Sequence, residues 1–559
     1  MRKLVCWLVC LCILLTPLAV QADYQEVKIN REAVLALLYE ADIATIREAI
    51  STGLVTCEEL TAYYLERIAA YDEPYNCFIT ICEDALDKAR ERDRQLAAGE
   101  GEGILFGVPI VVKDNIDVAG YHTTNGYIKL SSNMATDNAD VVDALLAQGA
   151  VIIAKTNMSW EAHSAITSSS TEVGETMNAY SVYMAAGGSS GGSAVAVSLN
   201  FAAAGIGTDT NSSLRIPAAL AGCISLRPTH GLISNVGLDE VNYSRDIAGA
   251  ITRTAYDQAV LMDAMTALQF RYTENLNADR LEGLRIGVVK ELSYAYTGKR
   301  SQQYLDSEVQ AAFAQAIEEL KACGAEVVEV TMPDVFKLSD ISFTSTDPDY
   351  KDELHNYICK ILAQYNVSAL IYPTYLNTPI RSGYDADGKY WNPTSQSFIN
   401  NCRVLSPSSC APEITVPIGL HSLGAGIGME IIAPRYSEQL LLDVAYSYTS
   451  RYDHRALPEG APNTYTDAYL GDLQSLWDSC VAAESYLAVP ITSLRIPEVS
   501  HDAKQYFTPL SDMVEDSEPE PSMAEILLPY YPAAITVLTV ILILVLYKIY
   551  KRCKKTRTA

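Results

Sequence analysis

Histidine is scarce in this chain. There are seven in 559 residues, and no HExxH or CxxC spacing accompanies them. Protein metal sites draw heavily on such ligands, so neither a metal centre nor a metal cofactor is expected. Basic residues are also few: 41 Lys and Arg stand against 68 Asp and Glu, giving a net charge of −27. A surface of that sign disfavours nucleic acid and anionic membrane surfaces as partners of the main body, and weakly disfavours acidic polymers as substrates. Charged residues make up 19% of the chain and apolar ones 49%, which excludes global disorder and allows a large core. No internal repeat is visible. The length fits three or four average domains, or one large one.

A disulfide framework is missing too. Of the 13 cysteines, Cys6, Cys10 and Cys12 fall in an N-terminal apolar run and Cys553 in a basic C-terminus. The remaining nine are Cys57, Cys77, Cys82, Cys223, Cys323, Cys359, Cys402, Cys410 and Cys480. An odd number at irregular spacing defines no pairing. Cys77–Cys82 and Cys402–Cys410 are candidate bridges, and several free buried thiols are the equal alternative.

What is present begins with two terminal segments. Arg2 and Lys3 precede an apolar run from Leu4 to Leu18 that ends in Val20-Gln21-Ala22. This is the layout of a secretory signal peptide over residues 1–22, cut after Ala22; an uncleaved anchor is the alternative. Near the other end, Ile526 to Tyr547 is almost uninterrupted apolar sequence, long enough to cross a bilayer. Lys548, Lys551, Arg552, Lys554, Lys555 and Arg557 follow, which keeps residues 548–559 in the cytosol. The expectation is a single-pass cell-membrane protein: a body over 23–510 outside the cytosol, an acidic stalk over 511–525, and a transmembrane helix over 526–547. Oligomeric state is not legible.

Between these ends, helix and strand patterns alternate. Residues 30–70 read as helices, the second starting at Thr56, which with Glu59 has the spacing of a capping box. Asp84 to Leu96 reads as a charged helix. Val108 to Val112 is a short apolar strand that runs into Lys113. Asp140 to Gln148 is a helix closed by Gly149, and Ala150 to Lys155 a buried strand. The same order recurs from Glu308 to Val330, with Gly324 as the stop. Such alternation predicts α/β layers around a mixed sheet.

The stretch from Gly187 to Gly231 stands apart. It is rich in Gly, Ser and Ala, yet carries apolar runs that a flexible linker would lack. Small residues between such runs point to backbone brought close to a strand or a ligand. Here Gly187-Gly188-Ser189-Ser190-Gly191-Gly192-Ser193 is followed by Gly207-Thr208-Asp209-Thr210-Asn211-Ser212-Ser213-Leu214-Arg215-Ile216-Pro217-Ala218, and then by Leu226-Arg227-Pro228-Thr229. In order and spacing this resembles the signature region of the amidase signature family of serine hydrolases. Ala154-Lys155-Thr156-Asn157-Met158, Asp246 to Thr254, Tyr372-Pro373-Thr374 and Ile414 to Gly419 resemble further stretches of the same family. The resemblance spans roughly residues 32–452. It implies an amidase signature fold: one domain with a large, twisted, mostly mixed sheet covered by helices on both sides. Residues from about 453 to 509 extend past the point where many members end, and Trp477, Leu487, Val489 and Ile491 are expected to pack on the body.

The resemblance also implies chemistry. Amide hydrolysis needs a nucleophile, a base that later protonates the leaving amine, and donors for the oxyanion. No histidine falls in either motif, and His230, just after them, reads as structural. The family uses a nucleophilic serine, a bridging serine in cis peptide geometry and a lysine; position by position these are Ser213, Ser189 and Lys113. Lys113 leaves the end of an apolar strand, where poor solvation favours a neutral amine; the plainer reading is a snorkelling lysine beside Asp114. The backbone N–H groups of Thr210, Asn211, Ser212 and Ser213 would form an oxyanion-binding nest. Asp209 and Arg215 are expected to brace the turn as an ion pair, and Ser190 and Ser193 to support it through hydrogen bonds.

One departure lies beside the nucleophile. The family has Gly-Gly there, and this chain has Asn211-Ser212. If the turn requires positive φ, Asn tolerates it while Ser does so at about 1–2 kcal/mol, and both side chains narrow the site. The expected function is therefore a membrane-tethered extracytoplasmic amidase using a Ser-Ser-Lys triad, acting on a small-molecule or peptide amide without a cofactor. The alternative is a catalytically impaired surface binding protein of the same fold. A role within an amidotransferase that works on charged tRNA is disfavoured by the two terminal segments and the acidity.

Overall fold

The structure is a computed structural model that describes residues 31–294, 306–344, 348–377, 383–384, 390–391 and 400–463. All of these lie in one compact unit, Met1–Arg495. The second unit, Ile496–Ala559, lies outside the described residues. So do the signal peptide, stalk, transmembrane segment and basic tail read from the sequence, and Trp477, Leu487, Val489 and Ile491 of the extension. Among the described residues no helix is long and apolar enough to cross a membrane.

An eleven-stranded sheet forms the centre. In chain order its strands are β1 (Phe78–Ile81), β2 (Pro109–Lys113), β3 (Val151–Thr156), β4 (Ala204–Thr208), β5 (Ile224–Arg227), β6 (Ala248–Thr252), β7 (Arg285–Val289), β8 (Glu326–Val330), β9 (Ala369–Pro373), β10 (Glu413–His421) and β11 (Ala425–Ile432). Across the sheet they run β1-β3-β2-β4-β6-β5-β10-β11-β9-β7-β8. β3, β2 and β4 are parallel neighbours, and so are β9, β7 and β8. The strands between them pair antiparallel. This is the mixed sheet predicted from the alternation of patterns.

Strands β2, β3, β4 and β9 are buried on every residue, in keeping with their largely apolar sequence. Helices form as the periodicity predicts. The helix Cys57–Tyr71 opens on a complete capping box between Thr56 and Glu59, an arrangement worth about 1 kcal/mol. Ser307–Ala322 buries Val309, Phe313, Ile317 and Leu320, and Gly324, at φ +92°, ends it before β8. Two features had no clear sequence signal. β1 has only four residues, and a three-stranded sheet over Ser168–Ser170, Gly174–Asn178 and Ser181–Ala185 is short and largely polar.

The extension beyond residue 452 packs on the body as far as Asn463. Arg455 pairs with Glu40 and donates to the Ser198 carbonyl at 2.8 Å. The Arg67 guanidinium donates to the carbonyls of Leu199, Asn200, Ala461 and Pro462 at 2.7–3.1 Å.

Cys77–Cys82 and Cys402–Cys410 are not bridged; all four thiols are free. β1 runs extended between Cys77 and Cys82, and at about 3.3 Å per residue it holds them beyond disulfide reach. Cys402 instead donates to Glu430 Oε1 at 3.3 Å.

Candidate active site

Strand register delivers the first residues. Val112 of β2 stands beside Ile206 of β4, and the two parallel strands end on the same side, in Lys113 and Thr208. The carboxyl edge of parallel strands is where α/β sheets commonly place their sites. The Gly187–Ser190 turn crosses this edge before a fully buried helix, Gly191–Ser198. The Gly188–Ser189 peptide is cis, as the resemblance implied. Glycine is required at two points. A Cβ at Gly188 would stand 2.4 Å from the carbonyl oxygens of Ser164 and Thr167, and one at Gly192 would stand 2.3 Å from that of Asn157.

Lys113 and Ser189 meet. Lys113 Nζ lies 2.7 Å from Ser189 Oγ and 2.8 Å from Thr208 Oγ1, and all three residues are buried. Among the described residues no carboxylate pairs with Lys113. Burial therefore governs its amine and lowers it to about pKa 7, against weaker opposing pulls from Asp209 and Asp246. The snorkelling alternative is excluded, since the side chain is 0% exposed. Thr208, which the sequence pattern did not single out, is the second hydroxyl on this amine. Asn115 Nδ2 holds it at 3.2 Å.

Ser213 sits on the neighbouring turn, 5% exposed. Its carbonyl accepts from Ser190 N at 3.2 Å, which ties the two serine-bearing turns together. No hydrogen bond joins Ser213 Oγ to Ser189 Oγ, so the last link of the expected triad is adjacency of the turns rather than a formed bond. Three further carbonyls of this turn are held from behind. That of Asp209 accepts from Arg227 Nη1 at 2.5 Å and that of Asn211 from Arg215 Nη2 at 2.9 Å. That of Ser212 accepts from Ile216 N at 3.0 Å. Among the described residues no acceptor takes the N–H groups of Thr210, Asn211, Ser212 or Ser213. Four successive donors are left for an anion.

The Asn211-Ser212 expectation needs correction. Neither residue has positive φ, so the turn does not require glycine and carries no left-handed strain here. The side chains are also occupied. Ser212 is fully buried and its Oγ accepts from Asn400 Nδ2 at 2.8 Å. Asn211 Oδ1 lies 3.5 Å from Arg245 Nη1.

Behind the turn is a buried ionic cluster. Arg215 Nε bonds Asp209 Oδ2 at 3.1 Å, the brace the sequence predicted. Its Nη1 also meets Glu413, Glu430 at 3.2 Å, and the Cys402 carbonyl at 3.0 Å. Burial opposes the charge on Asp209, but Arg215 and Arg227 outweigh it and hold the carboxyl below its usual range. Glu413 goes the other way: burial, reinforced by Glu430, pushes its carboxyl well up, and Tyr372 donates to it. Glu413 and Glu430 were missed. Each is a lone carboxylate inside an apolar strand, and that was the available signal, because a buried charge demands a partner.

The remaining predicted positions are structural. Ser190 Oγ lies 3.2 Å from the Thr208 carbonyl, and Ser193 Oγ 2.6 Å from Thr156 Oγ1. His230 Nε2 meets the Tyr243 carbonyl at 3.2 Å, away from Lys113 and Ser189.

A buried lysine touching a serine, next to a second serine on a turn of free N–H donors, is an arrangement that can activate a hydroxyl without a histidine. Comparison with known proteins shows the family. The family model described as Amidase matches residues 59–357. A glutamyl-tRNA(Gln) amidotransferase subunit of Halorhodospira halophila is 31% identical over 496 residues, covering 76% of this chain and 100% of that protein. The native peptide amidase of Stenotrophomonas maltophilia superposes with a TM-score of 0.64 at 28% identity, covering 76% of this chain and 99% of that one. A bacterial aryl acylamidase of the amidase signature family shares the fold, with a TM-score of 0.64 at 19% identity over 76% of this chain and 99% of that one. The chain belongs to the amidase signature family, and it is an amidase-family hydrolase of carbon–nitrogen amide bonds.

Proposed function

We propose that the protein is a membrane-tethered extracytoplasmic amidase in which Lys113, Ser189 and Ser213 form the catalytic triad. Ser213 Oγ attacks the substrate carbonyl carbon. Its proton passes to Ser189 Oγ as the Ser189 proton passes to the neutral Lys113 amine. The N–H groups of Thr210, Asn211, Ser212 and Ser213 receive the oxyanion. Collapse breaks the C–N bond, and the Lys113 ammonium returns its proton through Ser189 to the leaving amine. Water then attacks the acyl-enzyme by the same relay, releasing the acid and restoring Ser213.

The observation that carries this reading is the Lys113–Ser189 contact at 2.7 Å, with the amine lowered to about pKa 7. A base works best when its pKa lies near the working pH. Likeness to a peptide amidase supports a small-molecule or peptide amide as substrate. The acidic composition speaks against charged tRNA despite the likeness to amidotransferase subunits. The basic–apolar–small pattern of residues 1–22 and the apolar run 526–547 followed by lysines and arginines support the tether and its orientation.

The direct test is a fluorophosphonate probe on the wild type and on Ser213→Ala, followed by an amide screen. The wild type is expected to label and the variant not. Absence of wild-type labelling would favour the second reading, a binding protein of this fold, which the missing Ser189–Ser213 hydrogen bond keeps in view. The tether is tested by truncation after Leu510, which should move the protein from the membrane fraction to the soluble one.

A further inference from the structure

We infer that Asn400 is a positioning residue for the nucleophile turn, acting through the Ser212 hydroxyl; the inference rests on the triad reading above. The other anchors on the turn grip backbone carbonyls, Asp209 or, at 3.5 Å from Arg245, the Asn211 side chain. Arg227, Arg215, Ile216 and Ser190 hold the carbonyls of Asp209, Asn211, Ser212 and Ser213, respectively. Those contacts come from β5, from the helix that follows the turn and from the Gly187–Ser190 turn. Asn400 reaches the turn from a different part of the chain, 188 residues away.

The Asn400 segment is itself firmly placed. Asn400 bridges Tyr375, a fully buried tyrosine whose hydroxyl donates to the Gly426 carbonyl at 2.6 Å. The next residue, Asn401, donates from its backbone to Thr374 O at 3.1 Å. Its side chain donates to Pro373 O at 2.7 Å and Leu292 O at 2.9 Å. The Cys402 carbonyl accepts from Arg215. The end of β9 and the cluster behind the turn therefore fix where the Asn400 amide stands.

Among the described residues that amide makes one side-chain hydrogen bond, to Ser212 Oγ. Its Oδ1 is buried and meets no partner among the described residues. A buried amide with one end unsatisfied is costly, so losing the Ser212 contact would leave both ends unpaired. A glycine at 212 has no hydroxyl to offer. Asn400 and Ser212 thus form a unit that ties the turn of free N–H groups to β9. Donors for an oxyanion contribute only when held within a few tenths of an ångström of their working position, which is what a second-point tether supplies.

The test is a double-mutant cycle on the full chain with Asn400→Ala, Ser212→Ala and both together, and Ser212→Gly as the gentler variant. The first readout is fluorophosphonate labelling, split into affinity and maximal rate. Each single variant is expected to lower the maximal rate about tenfold or more at unchanged affinity, and the double to be no slower than the slower single. Additive losses, a fall in affinity alone, or wild-type rates in Asn400→Ala would overturn the proposal. The second readout needs no turnover: amide hydrogen exchange of peptides spanning residues 209–214 should quicken in Asn400→Ala and in Ser212→Gly. If the wild type does not label but exchange quickens, the triad reading falls and the tether stands. If exchange is unchanged, the tether falls whatever the labelling shows.

Discussion

Two buried lysines on adjacent strands meet different partners. Lys113 ends β2, and Lys155 on β3 pairs with its neighbour Val112; both side chains are 0% exposed. Lys155 lies 3.6 Å from Asp114 Oδ1 and donates to the His122 carbonyl at 3.0 Å. Asp114 is held in turn by Thr124 and Gly126. Burial lowers the Lys155 amine below its ordinary value, and Asp114 opposes the shift. Among the described residues Lys113 meets only hydroxyls, from Ser189 and Thr208, and burial prevails. Asp114 follows β2 on the turn at its end, where its carboxylate meets Lys155 and makes no ion pair with Lys113. A carboxylate partner favours the charged form of a buried amine. Hydroxyl partners leave it free to lose its proton and act as a base.

The largest effect that would break this contrast comes from exchanging each lysine for methionine. Lys113→Met should cut turnover about 10²–10⁴-fold, the range of a lost general base, while leaving no uncompensated charge. Lys155→Met strands Asp114 and should cost about 3–5 kcal/mol of stability. Denaturant melts and rates measured on both variants decide it. If Lys113→Met is the less stable of the two, the contrast is wrong.

The next test is pH. Lys113 must be neutral to act, so kcat/KM should rise through about pH 7 and fall tenfold per unit below it. Stability carries the same sign. An amine near 7 in the folded chain and at its ordinary 10.5 when unfolded binds more protons unfolded between those values. Its burial therefore costs stability fully below pH 7, and the cost fades as pH rises to 10.5. Lys113→Met should flatten that slope, and a slope that persists would assign it to other groups.

The smallest effect is expected in the Arg215 cluster. Glu413 is pushed well up and accepts from Tyr372, so Glu413→Gln should change stability by no more than about 1 kcal/mol. Asp209 is held ionised between two guanidiniums, and Asp209→Asn should cost several times as much. Equal losses in the two melts would show that Glu413 is charged as well.

Much of this was legible in the chain. The resemblance of the motifs around Gly187–Ser193 and Gly207–Ala218 nominated Lys113, Ser189 and Ser213, helical periodicity carried the longer helices, and Thr56 with Glu59 and Gly324 marked helix ends. β1 and the short sheet over Ser168–Ala185 gave no signal, because short polar strands lack a long alternation to read. Thr208 lay in plain view within the motif, but a threonine announces no partner until register sets it beside Lys113.

The chain by itself nominated the residues that could do chemistry, since histidine is scarce and motifs resembling a known family singled out two serines, a lysine and a glycine-rich approach. Tertiary structure decided what each would be. It brought Glu413 to Arg215 and Asn400 to Ser212 across 198 and 188 residues. It also gave Asn211 and Ser212 ordinary φ. Backbone conformation at that turn is set by what holds its carbonyls, and a lysine's charge by what surrounds its amine. Both depend on segments that meet only when the sheet closes.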